Sequence, residues 1–594
     1  MLYLGKFMSR FIEPPCAFLR NDEIVKRQFF RFLIPSVVST IALSLNEFAD
    51  SIIVAQLLGS SAMSVVNLGM PIMLVYAIVY TMFGIGGSVL YANYLGKMEK
   101  KKAGEIFSFT LFASLAVAAV ITLVGLLFYE EISRILCTDE SLLSMFIPYT
   151  RVLSISASLV ILIQVLINFL PAAGNPKLAT FINVLANVVN LIFDYIFIHF
   201  FDMGITGAAW ATFVGYAVGL AFLIAWVLLG KCRISFALFS KETVRMLSQI
   251  VAGGMSSAMT QLGFAVKFSY CNFMAGSLAG IAGITAFAGC IQTISLVSIF
   301  MAGIAISIIP LIAVMRAQKD YVGIRFLCKR ALKSQLAVNM IFTLLFLFFP
   351  SIITSMYNIE SADAYSMTIK AVRIFSVMFV IRGFVQVAQY NHMALGRKKY
   401  AFIISAFDGF VGIVPLVYLL SRCWGVDGLW LAYPLCSLLI VVGIFAYNFV
   451  AQRRLSHKMS PFLFVPSEKF KNDVLDISIH GNMEKAGVVT RMVLDFCDEY
   501  GIDSQKANLL AVATEEIFVY TACNSKDKYV NMDMRITIEN ESIVVYTRSI
   551  GLPFDHFSAD QEKFGNIWMI KKIASEVKYD YLLGVNQTRF KLAM

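Results

Sequence analysis

Asp50 stands inside a long apolar stretch, Leu45 to Val54, where a carboxylate has almost no water to solvate it. An Asp at the centre of a membrane helix costs roughly 2.5 to 3.5 kcal/mol on insertion scales, so its expected role is functional: to bind and release a cation. Asn190 and Asp194 are four residues apart and therefore share one helix face, one turn from each other. If that face turns toward Asp50, two carboxylates, an amide oxygen and the hydroxyl of Thr212 converge. Two acids close together in a low dielectric cannot both stay charged without a cation; such a set takes up H⁺, or Na⁺ through several hard oxygens. The competing reading leaves Asp194 solvated near a helix end, beside His199 and Asp202. Glu47 and Asn187, each three residues before a member of this set, are candidates to extend it or to line its cavity.

The second half of the apolar region is different. No Asp or Glu occurs in 246–274 or 371–395; Gln261, Lys267 and Arg382 stand there instead, with Asp408 farther on. A buried ammonium needs a counter-ion, so Lys267 and Asp408 are a candidate pair, read here as structural neutralisation and not as a second coupling site.

The elements that must position these residues are membrane helices. With 594 residues, 58% hydrophobic, 15% charged and 50 Phe, the chain is too apolar for one soluble core. Apolar runs long enough to cross roughly 30 Å of hydrocarbon number about twelve between residues 32 and 450. One set of connecting loops carries Lys97, Lys100 to Lys102, Lys177, Lys241, Arg316, Lys319, Lys329 and Arg397 to Lys399; the alternate loops carry Glu130, Glu131, Asp139, Asp202 and Glu360. The basic loops are expected to face the cytoplasm, with both chain ends on that side of the cell membrane. The net charge of +11 follows from this bias and the anionic inner leaflet, so no nucleic-acid partner is implied. Residues 1–28 have no apolar core of signal-peptide type, and the ten Cys, without any CxxC, read as small apolar residues.

Three segments recur. Gly204-Ile-Thr-Gly207 returns as Gly425-Val-Asp-Gly428, Gly174-Asn-Pro-Lys177 as Gly396-Arg-Lys-Lys399, and Arg151-Val-Leu-Ser154 as Arg373-Ile-Phe-Ser376, with offsets of 425 − 204 = 221 and 396 − 174 = 222. A fixed offset is the mark of duplication. The expected fold is an all-α polytopic membrane protein of twelve transmembrane helices in two six-helix lobes, 29–230 and 246–450, joined by a loop at 231–245.

The Asn46-x-x-x-Asp50 segment before Leu58-Gly59, the Gly84-Ile-Gly86-Gly87 to Lys97 stretch, Ala173-Gly174-Asn175-Pro176, Asn187-x-x-Asn190-x-x-x-Asp194 and Gly204 to Thr212 together resemble the multidrug and toxic compound extrusion (MATE) family. The resemblance implies a secondary antiporter, not an enzyme, that exchanges H⁺ or Na⁺ for drugs and other small amphipathic or cationic compounds by alternating access. It implies an ion site at Asp50, Asn190, Asp194 and Thr212, and no organic cofactor. A flippase for lipid-linked glycans and a membrane-tethered nucleotide-dependent sensor or kinase are the alternatives.

After residue 450 the composition changes. A basic linker, 451–468, leads to a soluble module, 469–594, read as an α/β sandwich. Ala513-Thr-Glu515-Glu516, Gly551-Leu-Pro553-Phe554-Asp555, Ile567 to Lys572 and Asn586-Gln-Thr588 resemble the Bergerat-type ATP-binding domain of anti-sigma-factor serine kinases. The resemblance implies nucleotide contacts at Glu516, Gly551 and Thr588. Tyr520 and Ser549, however, stand where that family places a magnesium-binding Asn and an adenine-reading Asp, so the module is expected to bind nucleotide weakly or not at all and to serve regulation or docking of a cytoplasmic protein.

Overall fold

The computed structural model describes residues 20–137, 139–230, 236–356, 359, 361–453, 465, 474–481, 486–524, 530–539, 541–558 and 562–593. Most of the linker 451–468, the first 19 residues and the side chain of Glu47 lie outside the described residues. Among the described residues, eleven helices are long and apolar enough to cross a membrane. The membrane region runs α1 (Glu23–Leu58), α2 (Ser60–Gly96), α3 (Lys100–Leu127), α4 (Glu140–Ala172), α5 (Pro176–Tyr195), α6 (Ile205–Leu228), α7 (Leu247–Ala317), α8 (Tyr321–Phe348), α9 (Ala362–Ala394), α10 (Lys398–Ala406), α11 (Ile413–Trp424) and α12 (Val426–Gln452). A π-helical turn, Phe407–Val411, joins α10 to α11 within one span.

Twelve spans are expected; among the eleven in the described residues, α7 stands out by its length. Its 71 residues would extend on the order of 100 Å if straight, about three bilayer cores. It is instead broken at Ala279 and Gly280, where Gly280 takes φ 57° and ψ −142°. That φ is open to glycine at little cost. Gly59, which separates α1 from α2, has φ 85°, and 280 − 59 = 221: the bend in α7 stands at the same offset as the sequence repeats. Gly204 and Gly425, which precede α6 and α12, share φ values of 56° and 58°.

The two lobes meet at the end that carries the basic loops. There α2 packs on α7 so closely that a Cβ on Gly254 would collide with the Met82 carbonyl, and one on Gly86 with the Ile250 carbonyl. At the tip of α2 a Cβ on Gly96 would come within 2.7 Å of the Val314 oxygen. Backbones approach this closely only where side chains are absent, as membrane-helix contacts generally require.

The appended domain is one five-stranded antiparallel sheet, order β1-β2-β3-β5-β4, built from β1 (Val474–Gly481), β2 (Val530–Glu539), β3 (Ser542–Ser549), β4 (Glu576–Leu582) and β5 (Val585–Ala593). It carries α13 (Ala486–Glu499), α14 (Ser504–Cys523) and α15 (Gly565–Ile573). The module expected as an α/β sandwich contains, among the described residues, a single sheet with helices packed on one face. The period of two along the strands explains why. Ile477, Ile479, Met532, Met534 and Ile536 join the helices in an apolar core, while the alternate residues Asp476, Ser478, Asp533, Arg535 and Arg548 form a polar face.

That polar face is buried, each of the five being at most 8% exposed, because it docks against the basic-loop end of the membrane bundle. Arg20, just before α1, pairs with Asp533, with Asp476 at 3.6 Å and with Asp320 at 3.2 Å. Asp320, in the turn between α7 and α8, also pairs with Arg548 and, at 3.5 Å, with Arg535. Three Arg and three Asp thus balance, as buried charges must. Burial alone would raise the Asp320 carboxyl, but Arg548, Arg20 and Arg535 outweigh it and hold the group well below the usual carboxylate range. The sheet touches both lobes. Gln318 donates to the Gln587 side chain at 2.6 Å and Lys319 to Glu539 at 2.9 Å on the second lobe, while Lys100 pairs with Asp580 at 2.9 Å on the first.

Candidate functional site

In the first lobe α1, α5 and α6 bring the sequence-identified polar residues together. Asn46 Nδ2 donates to Asn190 Oδ1 at 3.0 Å, Asn190 Nδ2 to Thr212 Oγ1 at 3.4 Å, and Thr212 Oγ1 to the Ala208 carbonyl at 3.1 Å. One turn away the carboxyl groups of Asp50 and Asp194 come close enough to interact with each other. Both are acceptors when charged, so a bond between them requires one shared proton. No other group among the described residues donates to Asp50 Oδ1 or to either Asp194 oxygen, and Asn46 Oδ1 and Asn187 Nδ2 are equally unpartnered. Asp194 is fully buried, and Asn187 and Asn190 nearly so.

A buried cluster with unpartnered oxygens fits a proton or a small hard cation. Sequence reading passed over Tyr149 of α4, which is buried and close enough to interact electrostatically with both acids. As one of 24 Tyr it carried no positional signal. Asn46 did carry one: it lies four residues before Asp50 and so on its face.

The second lobe carries the opposite polarity in the same register. Lys267 and Cys271 stand at the repeat positions of Asn46 and Asp50, since 267 − 46 = 221 and 271 − 50 = 221. Lys267 Nζ lies 3.6 Å from Asp408 Oδ2 and donates to the Asp408 carbonyl at 3.2 Å. Arg382 Nη1 meets the other carboxylate oxygen at 2.8 Å. The candidate pair is therefore a triad of two cations and one acid. It lies against the ring of Tyr433, whose centroid is 5.8 Å from the ammonium. Gln261, half-buried, makes no hydrogen bond among the described residues.

The three candidate nucleotide residues of the appended domain are engaged internally. Glu516 accepts from the Asn566 and Ile567 amides at 3.0 Å each and from Asn566 Nδ2 at 2.6 Å, so its carboxylate caps the N-terminus of α15. A helix start is where a phosphate would otherwise bind. Thr588 is buried against His556 at 2.6 Å, and His556 bridges on to Thr521 at 2.8 Å. Gly551 lies over the Asn586 side chain. The ring of Tyr520 packs among Phe554, His556 and Phe564 with centroids 5.0 to 6.0 Å away.

Comparison with known proteins places these observations. The MatE family model matches residues 35–196, which contain Asp50, Asn190 and Asp194 but not the appended domain. The Multidrug export protein MepA of Staphylococcus aureus is 22% identical over 430 residues, covering 70% of this chain and 92% of that protein. MepA of Staphylococcus saprophyticus is 23% identical over 436 residues, with the same coverage. Two solved structures superpose with a TM-score of 0.68 over 73% of this chain and 97% of theirs. They are a MOP superfamily transporter from Pyrococcus furiosus, 20% identical and described as having a binding pocket of reverse polarity, and an outward-facing multidrug resistance MATE family transporter, 21% identical. Family model, curated relatives and structural neighbours agree in likening the membrane region of this chain to multidrug export proteins and MATE transporters, and the solved structures share its fold.

Proposed function

We propose that this chain is a cation-coupled exporter of small amphipathic compounds, crossing the membrane twelve times in two six-helix lobes with its basic loops in the cytoplasm. The observation that carries the reading is the facing pair of Asp50 and Asp194, linked through α1 and α5 to Asn46, Asn190 and Thr212. Charged together in a low dielectric they repel, and H⁺ or Na⁺ relieves that repulsion. A rearrangement of α1 against α5 releases the ion, and the same rearrangement moves the lobes between two accessibilities. The contacts of Gly86 and Gly254 support a state closed at the basic-loop end. Export of a fluorescent drug from proteoliposomes under imposed H⁺ or Na⁺ gradients tests the reading; export that ignores both gradients overturns it.

The appended domain is in this reading a regulatory clamp without nucleotide chemistry. Glu516 occupies the helix start that would bind phosphate, and Tyr520 lies within an aromatic cluster. Its polar face bridges both lobes, so the lobes separate at that end only when part of the Arg20 and Asp320 network lets go. Absence of ATP binding by calorimetry, with faster transport once the docking is weakened, is the expected outcome.

A further inference from the structure

A groove of about 720 Å³ of water-accessible space opens on the first lobe at its basic-loop end, lined by Arg31, Lys177, Phe181, Phe222 and Trp226. Neither Arg31 nor Lys177 has a carboxylate partner among the described residues, although both are exposed. The Arg31 guanidinium also packs against Gly584, at the β4 to β5 turn of the appended domain, so closely that any side chain there would collide with it. Beside it, Gln28 donates to the Leu583 carbonyl at 3.4 Å. The aromatic wall is continuous: Phe181 lies 4.9 Å from Phe222, and Phe222 stacks on Trp226 at 5.7 Å.

The groove therefore has two unlike ends. One offers two positive charges and the first turn of α5, which begins at Pro176 without a side-chain cap. The other is an apolar strip on α5 and α6 with Phe181 about half exposed. Free cations at one edge of the hydrocarbon, above a lipid-facing aromatic strip, match an anionic headgroup and its acyl chain. A soluble anion would use only the first end.

We propose that this groove binds an anionic phospholipid, with its phosphate held by Arg31 and Lys177 and an acyl chain laid along Phe181, Phe222 and Trp226. Because Arg31 also braces Gly584, the bound lipid steadies the docked position of the β4 to β5 turn.

Native mass spectrometry of the full chain, delipidated and then offered dioleoyl phosphatidylglycerol, dioleoyl phosphatidylcholine or inorganic phosphate, tests this. The expected result is retention of phosphatidylglycerol alone, about fivefold weaker in Arg31→Gln or Lys177→Gln and about 25-fold weaker in the double variant, at about 1 kcal/mol per basic contact. Trp226→Ala should also weaken retention while leaving both charges in place. Equal retention of phosphatidylcholine, unchanged retention in the double variant, or displacement of the lipid by millimolar phosphate would each overturn the proposal. These readouts do not involve transport, so they fail independently of the exporter reading.

Discussion

Asp320 accepts a hydrogen bond from Arg548, 228 residues farther along the chain, and so ties the turn between two membrane helices to the middle of the appended sheet. Its other charged partners are Arg20 and Arg535, and its Oδ1 also accepts from the Gly323 amide at 2.8 Å at the start of α8. Asp320→Asn leaves three buried guanidinium groups facing two carboxylates. Breaking one member of a buried charge set costs about 3 to 5 kcal/mol. The variant is expected to release the domain, seen as faster hydrogen exchange in β2 and β3 with the membrane helices unchanged. Protection equal to the parent protein would show that the network does not hold the domain.

For the first lobe, Asp50→Asn and Asp194→Asn each keep the size of the side chain and remove the charge. Either change lets the pair hydrogen-bond without an ion, so ion-driven export should fall to background while insertion is intact. The variants also gain stability in the absence of a gradient, because the one remaining carboxylate has an amide donor beside it and no second acid to repel it. Transport in proteoliposomes and melting temperature in detergent give the two readouts.

The triad in the second lobe separates structural from functional charge. Lys267→Met leaves Arg382 and Asp408 as a one-to-one pair at 2.8 Å and is expected to change the melting temperature little. Asp408→Asn leaves two cations without a counter-charge and should lower it sharply, at a cost of about 3 to 5 kcal/mol. If the two variants melt alike, the triad is not the electrostatic unit described.

His556 supplies a pH dependence confined to the appended domain. Burial pushes its imidazole down to about 3, against about 6.5 in an unfolded chain. Above pH 6.5 both states are neutral and the residue adds no slope. Between 6.5 and 3 the unfolded chain binds a proton that the folded domain refuses, so stability falls as pH falls, with a slope approaching one proton per molecule. His556→Gln keeps hydrogen-bonding atoms near Thr521 and Thr588 and should flatten that slope, read by hydrogen exchange of β5 at pH 7 and pH 5.

Much of the candidate site was legible because a membrane makes charge conspicuous. Asp50 and Asp194 violate the apolar pattern of their helices, and the four-residue spacing of Asn190 and Asp194 fixes their common face. The internal repeat was legible because the glycines that begin helices recur at a constant offset. The docking of the appended sheet was not. Asp320, Arg535 and Arg548 are ordinary residues for a turn and for the polar side of a strand, and alternation alone reads as a solvated face. Only tertiary contacts, those with Arg20 and Asp320 above all, reveal that this face is covered. Arg382 was singled out by its place mid-helix, yet its pairing with Asp408 depends on the π-helical turn Phe407–Val411, which no spacing rule announces.

The contact of Gly254 with the Met82 carbonyl leads to a test of how the lobes close. A methyl group at 254 has no room, and the atom it meets belongs to backbone, which cannot swing aside as a flexible side chain does. Overpacking of this kind costs about 1 to 3 kcal/mol, borne only by the state in which α2 and α7 touch at the basic-loop end. The opposite accessibility has no such contact to lose, so Gly254→Ala should shift the equilibrium toward it by about 5- to 150-fold. Spin labels at Lys101 and Lys329, both exposed at that end of their lobes, are expected to report a longer distance in the variant. Export should slow at the same time, because the return to the closed state becomes the uphill step. A distance distribution identical to that of the parent protein would mean that α2 and α7 separate together with their lobes in neither state, and that the seam between them is fixed.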